Sequence, residues 1–171
     1  MINFIRKLDV SLLQFVNTKL RCKILDKVMP IITFFGSGIF CFIFVVLTII
    51  SNNKAIRSLG ILGFLSIIFS GGITYYIKRI KNRIRPYIKI PDIIANKIGV
   101  DDYSFPSGHT TAAFSIAMSI AIIFRQLSVF SLIFATLVGF SRIYLGVHYP
   151  TDVVAGTVVG VLSAIILKVL I

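Results

Sequence analysis

Three short segments of this chain place residues that can exchange protons or bind anions directly beside apolar runs. The first, residues 103–115, reads YSFPSGHTTAAFS and sets Pro106-Ser107-Gly108-His109 in front of an apolar run. A membrane-spanning helix ordinarily begins with interfacial aromatic or basic anchors. A titratable ring, a hydroxyl and a turn residue at this point therefore indicate more than membrane insertion.

The second segment is the basic stretch KRIKNRIRP, residues 78–86. Lys78 and Arg85 are seven residues apart, so both face the same way if the preceding helix continues for two more turns. Pro86 disfavours helical backbone at Arg85, and we expect the helix to end there. A plain basic interfacial cap explains the cluster equally well. A connection of roughly 20 residues follows, a length typical of functional or disordered loops.

The third segment is SRIYLGVHYPTD, residues 141–152. Arg142 lies near the end of an apolar run, where a buried cation costs at least about 2.5 kcal/mol unless it is paired or solvated. His148 and Asp152 are four residues apart, and Pro150 suits the first turn of the last helix. We expect Asp152 to reach back to the imidazole. Snorkelling of Arg142 and an ordinary helical His/Asp pair are the structural alternatives.

The composition places these segments in a membrane protein. Of the 171 residues, 57% are hydrophobic and the mean hydropathy is +0.96, more than a soluble domain needs to bury. Residues 31–50 and 58–77 lack charged residues and histidine over 20 positions, enough to cross a hydrocarbon core of ~30 Å as helix. Three runs of 15 or 16 uncharged residues span only if their helices include neighbouring polar residues: 110–124, 126–141 and 153–167.

The N-terminal segment, residues 1–27, is different. Its longest uncharged run, residues 10–18, is too short to span. The spacing of its apolar residues predicts an interfacial amphipathic helix with one apolar face. Asp9 and the lack of a small-residue cleavage site argue against a cleaved signal peptide. The apolar face consists of Phe4, Leu8, Leu12 and Phe15.

We therefore predict an all-α polytopic membrane helix bundle with five spans plus the N-terminal surface helix, in one domain over residues 1–171. A sixth, strained span is the alternative. The chain has two histidines, His109 and His148, each close to the end of an apolar run. The helical hairpin 110–141 crosses the bilayer and returns, so both histidines and the basic cluster emerge on one side. This topology predicts a single site on one face.

The order and spacing of these residues resemble the three-part signature of the type 2 phosphatidic acid phosphatase family, which includes glucose-6-phosphatase and the vanadium haloperoxidases. The three parts are Lys78, six residues and Arg85-Pro86; then Pro106-Ser107-Gly108-His109; then Ser141-Arg142, five residues, His148, three residues and Asp152. All three parts match within residues 78–152. The amino-acid sequences around the second and third parts are also similar to those of bacterial undecaprenyl-diphosphate phosphatases of this family.

The resemblance implies a phosphate site. Lys78, Arg85 and Arg142 would supply positive charge, and the arginines can bind two phosphate oxygens at once. Ser107 and Gly108 would open a helix whose unpaired N–H groups and positive dipole end favour an anion. The polar group before the apolar run is then a phosphate cradle.

The same resemblance implies the roles of the remaining residues. His148 would attack phosphorus and form a phosphohistidine, while Asp152 holds its other nitrogen. His109 would protonate the leaving oxygen and then activate water. No metal and no cofactor is expected. The remaining carboxylates of the polar loop offer a magnesium site that is conceivable but poorly supported by spacing: Asp92, Asp101 and Asp102.

The expected activity is hydrolysis of a lipid phosphomonoester or diphosphate, with undecaprenyl diphosphate favoured over phosphatidate or phosphatidylglycerophosphate. The net charge of +12 favours lipid headgroups over nucleic acid as partners, and we expect no obligate protein partner. A non-enzymatic anionic-lipid binder leaves the histidines and Asp152 unexplained. Haloperoxidase activity is the weakest option, because those relatives are soluble and longer.

Membrane orientation is left in conflict. In the five-span arrangement, 14 of the 18 lysine and arginine residues lie on the face of the site, so the positive-inside rule places the site in the cytoplasm. Bacterial relatives generally place it outside. Since a basic phosphate funnel biases the count, we expect a bacterial plasma-membrane protein with an extracytoplasmic site.

Overall fold

The computed structural model describes residues 2–98, 101 and 103–171, and this part of the chain contains helices and connections without strands. A π-helical turn, Phe15–Lys19, follows the first α-helix, and a 3-10 turn, Arg125–Leu127, precedes the α-helix that begins at Ser128. The helices are α1 Ile2–Gln14, α2 Lys23–Phe34, α3 Gly38–Ile49, α4 Lys54–Lys81, α5 Pro86–Lys89, α6 Gly108–Ile123, α7 Ser128–Tyr144 and α8 Pro150–Leu170.

Helix α6 lies at the centre and packs against α4, α7 and α8. Gly156 and Gly160 let α8 approach α6 closely, because a Cβ at these positions would lie 2.7 Å from the Ser107 carbonyl oxygen and 2.5 Å from that of Thr111. Small residues commonly mark such close helix contacts in membranes. The approach sets the start of α6 beside the start of α8.

Hydroxyl groups join α4 to α6 within the bundle. The Ser70 and Ser115 hydroxyl oxygens are 2.9 Å apart, and the Thr74 hydroxyl donates to that of Thr111 at 3.3 Å. Each of these residues is buried, where an unpaired hydroxyl would be costly. These pairs position the C-terminal part of α4 against the first turns of α6.

Within the described residues, three segments are long and apolar enough to cross a membrane: Lys54–Lys89, Arg125–Tyr144 and Pro150–Leu170. They contain the predicted runs 58–77, 126–141 and 153–167. A bent pair formed by α2 and α3 raises the number to four. Helix α6 is shorter, with 16 residues, or about 24 Å of helix. The all-helical membrane fold is confirmed, whereas five spans remain a prediction.

The sequence predicted that the run 31–50 forms one uninterrupted span. The structure divides this run between two helices. Helices α2 and α3 are bent by 50° relative to each other, and Ser37 caps α3 by accepting the Phe40 N–H at 3.2 Å. A Cβ at Gly36 would lie 2.7 Å from the His109 carbonyl oxygen. The break therefore arises where a glycine and a capping serine allow the chain to pack against the first turn of α6.

Helix α1 covers part of the predicted amphipathic segment. The predicted apolar face of this segment, which extends from α1 into the π-helical turn at Phe15, is exposed, with side chains 43% to 69% accessible. A position at the membrane surface remains a prediction. On this helix Asp9 is only 3% exposed, and α1 contacts α8. The helix therefore also presents a buried carboxylate to the bundle. The exposed side chains are Phe4, Leu8, Leu12 and Phe15.

Candidate active site

The structure brings all the predicted site residues to one end of the bundle. Lys78 is in the last turn of α4 and Arg142 in the last turn of α7, while Asp152 is in the first turn of α8. Ser107 is the N-cap of α6, followed by Gly108 and His109. His148 lies in the connection between α7 and α8.

Lys78 and Arg85 converge by a route that differs from the predicted one. Helix α4 does not continue to Arg85; it ends at Lys81, and Asn82 has the left-handed φ of 45°, which asparagine tolerates better than most residues. Lys78 Nζ and Arg85 Nη2 both donate to Asp101 Oδ1, at 2.8 and 2.5 Å.

The Arg85 guanidinium is buried, with 1% of the residue exposed. Its Nη1 donates to the Val147 carbonyl oxygen at 2.9 Å, and its Nε donates to the Asp101 carbonyl oxygen at 2.8 Å. These bonds offset the cost of burying the charge. They also fix Arg85 beside His148, whose Nε2 is 3.3 Å from Arg85 Nη1.

Arg142 is completely buried as well. Its Nη1 donates to Thr33 Oγ1 at 2.8 Å and to the Ile98 carbonyl oxygen at 3.0 Å. Thr33 belongs to α2, so the helix before the bend helps to orient the guanidinium. Snorkelling to the interface is excluded as an explanation for this arginine.

The start of α6 has the geometry of an anion site. The Ser107 N–H donates to the Asp152 carbonyl oxygen at 3.0 Å, and Ser107 Oγ accepts the Thr110 hydroxyl at 2.9 Å. Neither bond uses the N–H groups of Gly108 and His109, which belong to the first turn and have no intrahelical acceptor. The helix dipole adds partial positive charge at the same point.

His148 is oriented by a backbone carbonyl. Its Nδ1 is 2.7 Å from the Ser104 carbonyl oxygen, whereas Asp152 Oδ2 is 3.6 Å away. The predicted grip of Asp152 on the ring is therefore a longer electrostatic contact, and Ser104 takes the hydrogen-bonding position. Because a carbonyl can only accept, Nδ1 carries the proton and Nε2 keeps its lone pair.

The charge state of His148 follows from its surroundings. Burial lowers the pKa of the imidazole well below its usual value, and the nearby positive charges of Arg142, Arg85 and Lys78 lower it further. The ring is therefore neutral at pH 7, the form in which Nε2 is a nucleophile.

His109 faces the same group of charges. It lies in the first turn of α6 and within electrostatic range of Arg142, His148 and Arg85. It is partly exposed, unlike His148, which is 2% exposed. A proton donor or acceptor in this position can exchange with solvent.

Asp152 has a partner that the sequence analysis did not identify. Its side chain is fully buried; Oδ1 accepts from Arg83 Nη1 at 2.6 Å, and Oδ2 accepts the Tyr149 N–H at 2.9 Å. In the sequence Arg83 is one of several basic residues in 78–89. The available signal was that a buried carboxylate needs a cationic partner, without an indication of which one.

The loop carboxylates do not form a metal site in the part of the chain that the structure describes, where no three His, Cys, Asp or Glu side chains converge. Asp101 is paired with Lys78 and Arg85 instead. Burial raises the pKa of Asp101, but these two cations outweigh it and the net pKa is lowered. Asp92 is exposed, and Asp102 lies outside the described residues.

Comparison with known proteins identifies the family. The model of the PAP2 superfamily matches residues 59–171. The chain belongs to the PAP2 superfamily. This match contains all of the proposed site residues and confirms the resemblance drawn from the three motifs. Named phosphatases are among the relatives that the chain matches.

Relatives and solved structures agree with the family. The undecaprenyl-diphosphatase BcrC of Bacillus subtilis is 32% identical over 146 residues, covering 81% of this chain and 71% of that protein. The crystal structure of Aquifex aeolicus LpxE has a TM-score of 0.82 at 29% identity, over 94% of this chain and 95% of the other. A Bacillus subtilis PAP2-type phosphatidylglycerolphosphate phosphatase has a TM-score of 0.80 at 26% identity, over 98% and 86%.

The matched length differs among the relatives. The chain spans about half or less of the length of other curated relatives that it matches. The match covers 40% of a Bacillus licheniformis relative and 52% of a Sulfolobus acidocaldarius relative. The two solved structures, in contrast, are covered over most of their length. The fold of this PAP2 protein is therefore shared nearly throughout.

Arg142→Lys is expected to lower kcat/KM of this PAP2 protein by about tenfold or more. Lysine keeps the charge but loses the planar fork that holds Thr33 and the Ile98 carbonyl oxygen and that would also hold a phosphate oxygen in the predicted site. Phosphate release from a lipid phosphate measures the effect. Arg125→Lys, at an exposed arginine of the opposite end, is the control. Activity within about twofold of the wild type in Arg142→Lys would contradict the expectation.

Asp101→Asn is expected to strengthen inhibition by inorganic phosphate about fivefold. The Asp101 carboxylate lies against Lys78 Nζ and Arg85 Nη2, where a phosphate oxygen would bind, and an exposed carboxylate of this kind competes by about 1 kcal/mol. The inhibition constant for phosphate is the measurement. Asp92→Asn, an exposed carboxylate of the same loop, should leave it unchanged. An unchanged or weaker inhibition in Asp101→Asn would refute this competition.

Proposed function

We propose that this PAP2 protein hydrolyses a lipid phosphate or diphosphate through a phosphohistidine on His148. The observation that carries the proposal is the geometry of that ring. Nδ1 is held by the Ser104 carbonyl, and Nε2 lies 3.3 Å from Arg85 Nη1. A neutral imidazole is thus oriented with its lone pair toward a group of buried cations, where a phosphate would bind.

In the first step, His148 Nε2 forms a bond to phosphorus while the bond to the leaving oxygen breaks. Developing charge on the phosphoryl oxygens is stabilised by preorganised donors. His109 donates a proton to the leaving oxygen. The preorganised donors that stabilise the charge on the phosphoryl oxygens are Lys78, Arg85, Arg142 and the first N–H groups of α6, at Gly108 and His109.

In the second step, His109 takes a proton from water and the oxygen attacks phosphorus. The N–P bond breaks, inorganic phosphate leaves and His148 returns to its neutral form. Asp152 lies 3.6 Å from Nδ1 and stabilises the positive ring of the intermediate. Side chains supply all the positive charge in this scheme, so the proposed reaction needs no metal.

Undecaprenyl diphosphate is the favoured substrate. The Bacillus subtilis relative that covers 81% of this chain is named an undecaprenyl-diphosphatase, and a Sulfolobus acidocaldarius relative at 30% identity carries the same name. The exposed apolar helix faces suit a long isoprenoid tail, which would remain in the bilayer while the diphosphate enters the site.

Phosphatidylglycerophosphate is the second candidate, with phosphatidate behind it. The structural neighbour from Bacillus subtilis is described as a phosphatidylglycerolphosphate phosphatase. The first motif of this chain also retains its lysine, Lys78. Some members of the family that act on polyprenyl diphosphates differ from this lysine-containing motif.

Phosphate release by the purified protein tests the activity and the substrate together. The three lipids are presented in matched detergent micelles with EDTA present, and His148→Ala is the inactive control. Undecaprenyl diphosphate should show the highest kcat/KM. Equal rates on all three lipids would defeat a narrow assignment. Binding to anionic micelles without phosphate release would favour a non-enzymatic lipid binder.

We also propose that the site faces the extracytoplasmic side of a bacterial plasma membrane. Asn52 and Asn96 are exposed at opposite ends of the bundle, so single cysteines there report orientation in a background lacking Cys22 and Cys41. An impermeant thiol reagent should label Asn96→Cys in intact cells. Labelling of Asn52→Cys instead would place the site in the cytoplasm.

A further inference from the structure

Helix α1 carries a carboxylate that the proposed chemistry does not yet use. Asp9 is 3% exposed and accepts three hydrogen bonds. Arg83 Nη2 donates at 2.7 Å, the Thr151 N–H at 2.9 Å and the Thr151 hydroxyl at 2.5 Å. A buried carboxylate is costly unless it is paired in this way, so Asp9 and its partners form a fixed unit.

Arg83 connects this unit to the active site. Its Nη1 donates to Asp152 Oδ1 at 2.6 Å and to the Thr151 hydroxyl oxygen at 2.7 Å, while Nη2 is taken by Asp9. The planar fork thus holds one carboxylate on each branch. The guanidinium also lies over the Tyr149 ring, with Cζ 3.9 Å from the centroid.

The position of Arg83 matters because the side chain has room to move. It is 26% exposed and borders a cavity of about 440 Å³ that α1, the end of α4, Phe105 and Thr151 also line. Two other cations, Arg6 and Lys81, line the same cavity. The hydrogen bond from Arg83 Nη2 to Asp9 holds the guanidinium in the position from which Nη1 reaches Asp152.

Charge leads to the same expectation. Asp9, Arg83 and Asp152 together carry a net charge of −1, which favours a positive ring on His148 when the phosphohistidine forms. Without the Asp9 charge, Arg83 and Asp152 sum to zero, and the ring loses part of that stabilisation. The effect belongs to the intermediate and its transition states rather than to substrate binding.

We propose that Asp9 is a positioning residue for the reaction. It orients Arg83 and thereby sets the place and the effective charge of Asp152 beside His148. Helix α1 lies outside residues 59–171, which the family model matches, so this residue adds a part of the chain to the catalytic machinery. The inference rests on the proposed phosphohistidine mechanism.

A double-mutant cycle tests this indirect action. Asp9→Asn is made in the wild type and in Asp152→Asn, and kcat and KM are measured with a nitrophenyl phosphate. When Asp9→Asn is made in the wild type, we expect kcat to fall about tenfold and KM to stay within about twofold of the wild-type value. In Asp152→Asn the same change should cost less than about twofold, because coupled residues are not additive.

The matched control is Asp26→Asn. Asp26 pairs with Arg21 at 3.0 Å and accepts the Tyr144 hydroxyl at 3.0 Å, so it is another arginine-bound carboxylate of the N-terminal region, but it does not contact the site. It should change kcat by less than about twofold in both backgrounds. A tenfold loss in Asp26→Asn would attribute the Asp9 effect to general packing and overturn the inference.

A second variant guards against misfolding of Asp9→Asn. Arg83→Lys keeps a charge but can reach only one of the two carboxylates, and it should reproduce the loss in kcat with the same lack of additivity toward Asp152→Asn. Equal losses in both backgrounds for either variant would overturn the positioning role.

Failure of the proposed function is distinguishable from failure of this inference. Turnover and the labelling of His148 are both measured in the wild type, without any Asp9 variant. If no phosphohistidine forms in the wild type, the mechanism falls, and the positioning role falls with it. If it forms and the Asp9 effects are additive, the positioning role alone is wrong.

Discussion

Replacing His148 with alanine is expected to abolish both phosphoenzyme formation and turnover. Its Nε2 is the proposed nucleophile and lies 3.3 Å from Arg85 Nη1, whereas the Ser107 hydroxyl is already engaged with Thr110 at 2.9 Å. The proposed mechanism assigns phosphoryl transfer to no other group of the motifs. Rapid quenching with labelled lipid phosphate, followed by peptide mapping of acid-labile label, is the measurement.

The control for this experiment is Asp152→Asn. It leaves the nucleophile in place, since the Ser104 carbonyl rather than Asp152 accepts from Nδ1. We expect label on His148 in this variant at a reduced rate. Label on Ser107 or on an aspartate in the wild type, or turnover in His148→Ala, would disprove the assignment of the nucleophile.

Replacing His109 with alanine is expected to lower the rate on lipid substrates by about 10² to 10⁴, the usual contribution of a general acid or base. A nitrophenyl phosphate has a good leaving group that needs little protonation, so it should be partly spared. Phosphoenzyme should accumulate, because hydrolysis of the intermediate also depends on His109. The ratio of the two rates and the burst amplitude report these effects.

His148→Ala is the internal control for the His109 result. Loss of the nucleophile should remove activity on both the lipid substrate and the nitrophenyl phosphate. Loss of the proton donor should instead lower the rate on the lipid substrate more than the rate on the nitrophenyl phosphate. If His109→Ala loses lipid and aryl substrates in equal proportion, and no phosphoenzyme accumulates, His109 does not exchange the proton. The division of labour between the histidines would then be wrong.

These outcomes bear on how the polar end of the bundle is used. The buried cations are held in the described structure by loop groups, with Asp101 on Lys78 and Arg85 and the Ile98 carbonyl on Arg142. In the proposed reaction, a substrate phosphate has to replace such contacts. The expected gain in phosphate inhibition on Asp101→Asn measures part of that exchange.

Much of the candidate site was predictable from the sequence. The uncharged runs required helices that cross a membrane, because backbone groups in hydrocarbon must be paired within the helix. The hairpin of α6 and α7 then required His109 and His148 to emerge at the same end. These conclusions depend on composition, on helix length and on the parity of crossings, all of which are local properties of the chain.

Predictions about helix ends were less successful. The bend between α2 and α3 and the end of α4 at Asn82 both differ from what the apolar runs and Pro86 indicated. Each occurs where local preference is weak and packing decides. Gly36 allows a break because the turn has to fit against the backbone of His109.

By itself, the sequence determined the membrane class of this protein, its family and the residues that meet at one end, since each is written in short-range patterns. Tertiary structure alone decided which partner each of these residues has. Ser104 holds His148 across 44 positions of the chain, and Arg83 joins Asp9 and Asp152 across 74 and 69. Such pairs form because buried polar groups must find a partner, and helix packing determines which partner is within reach.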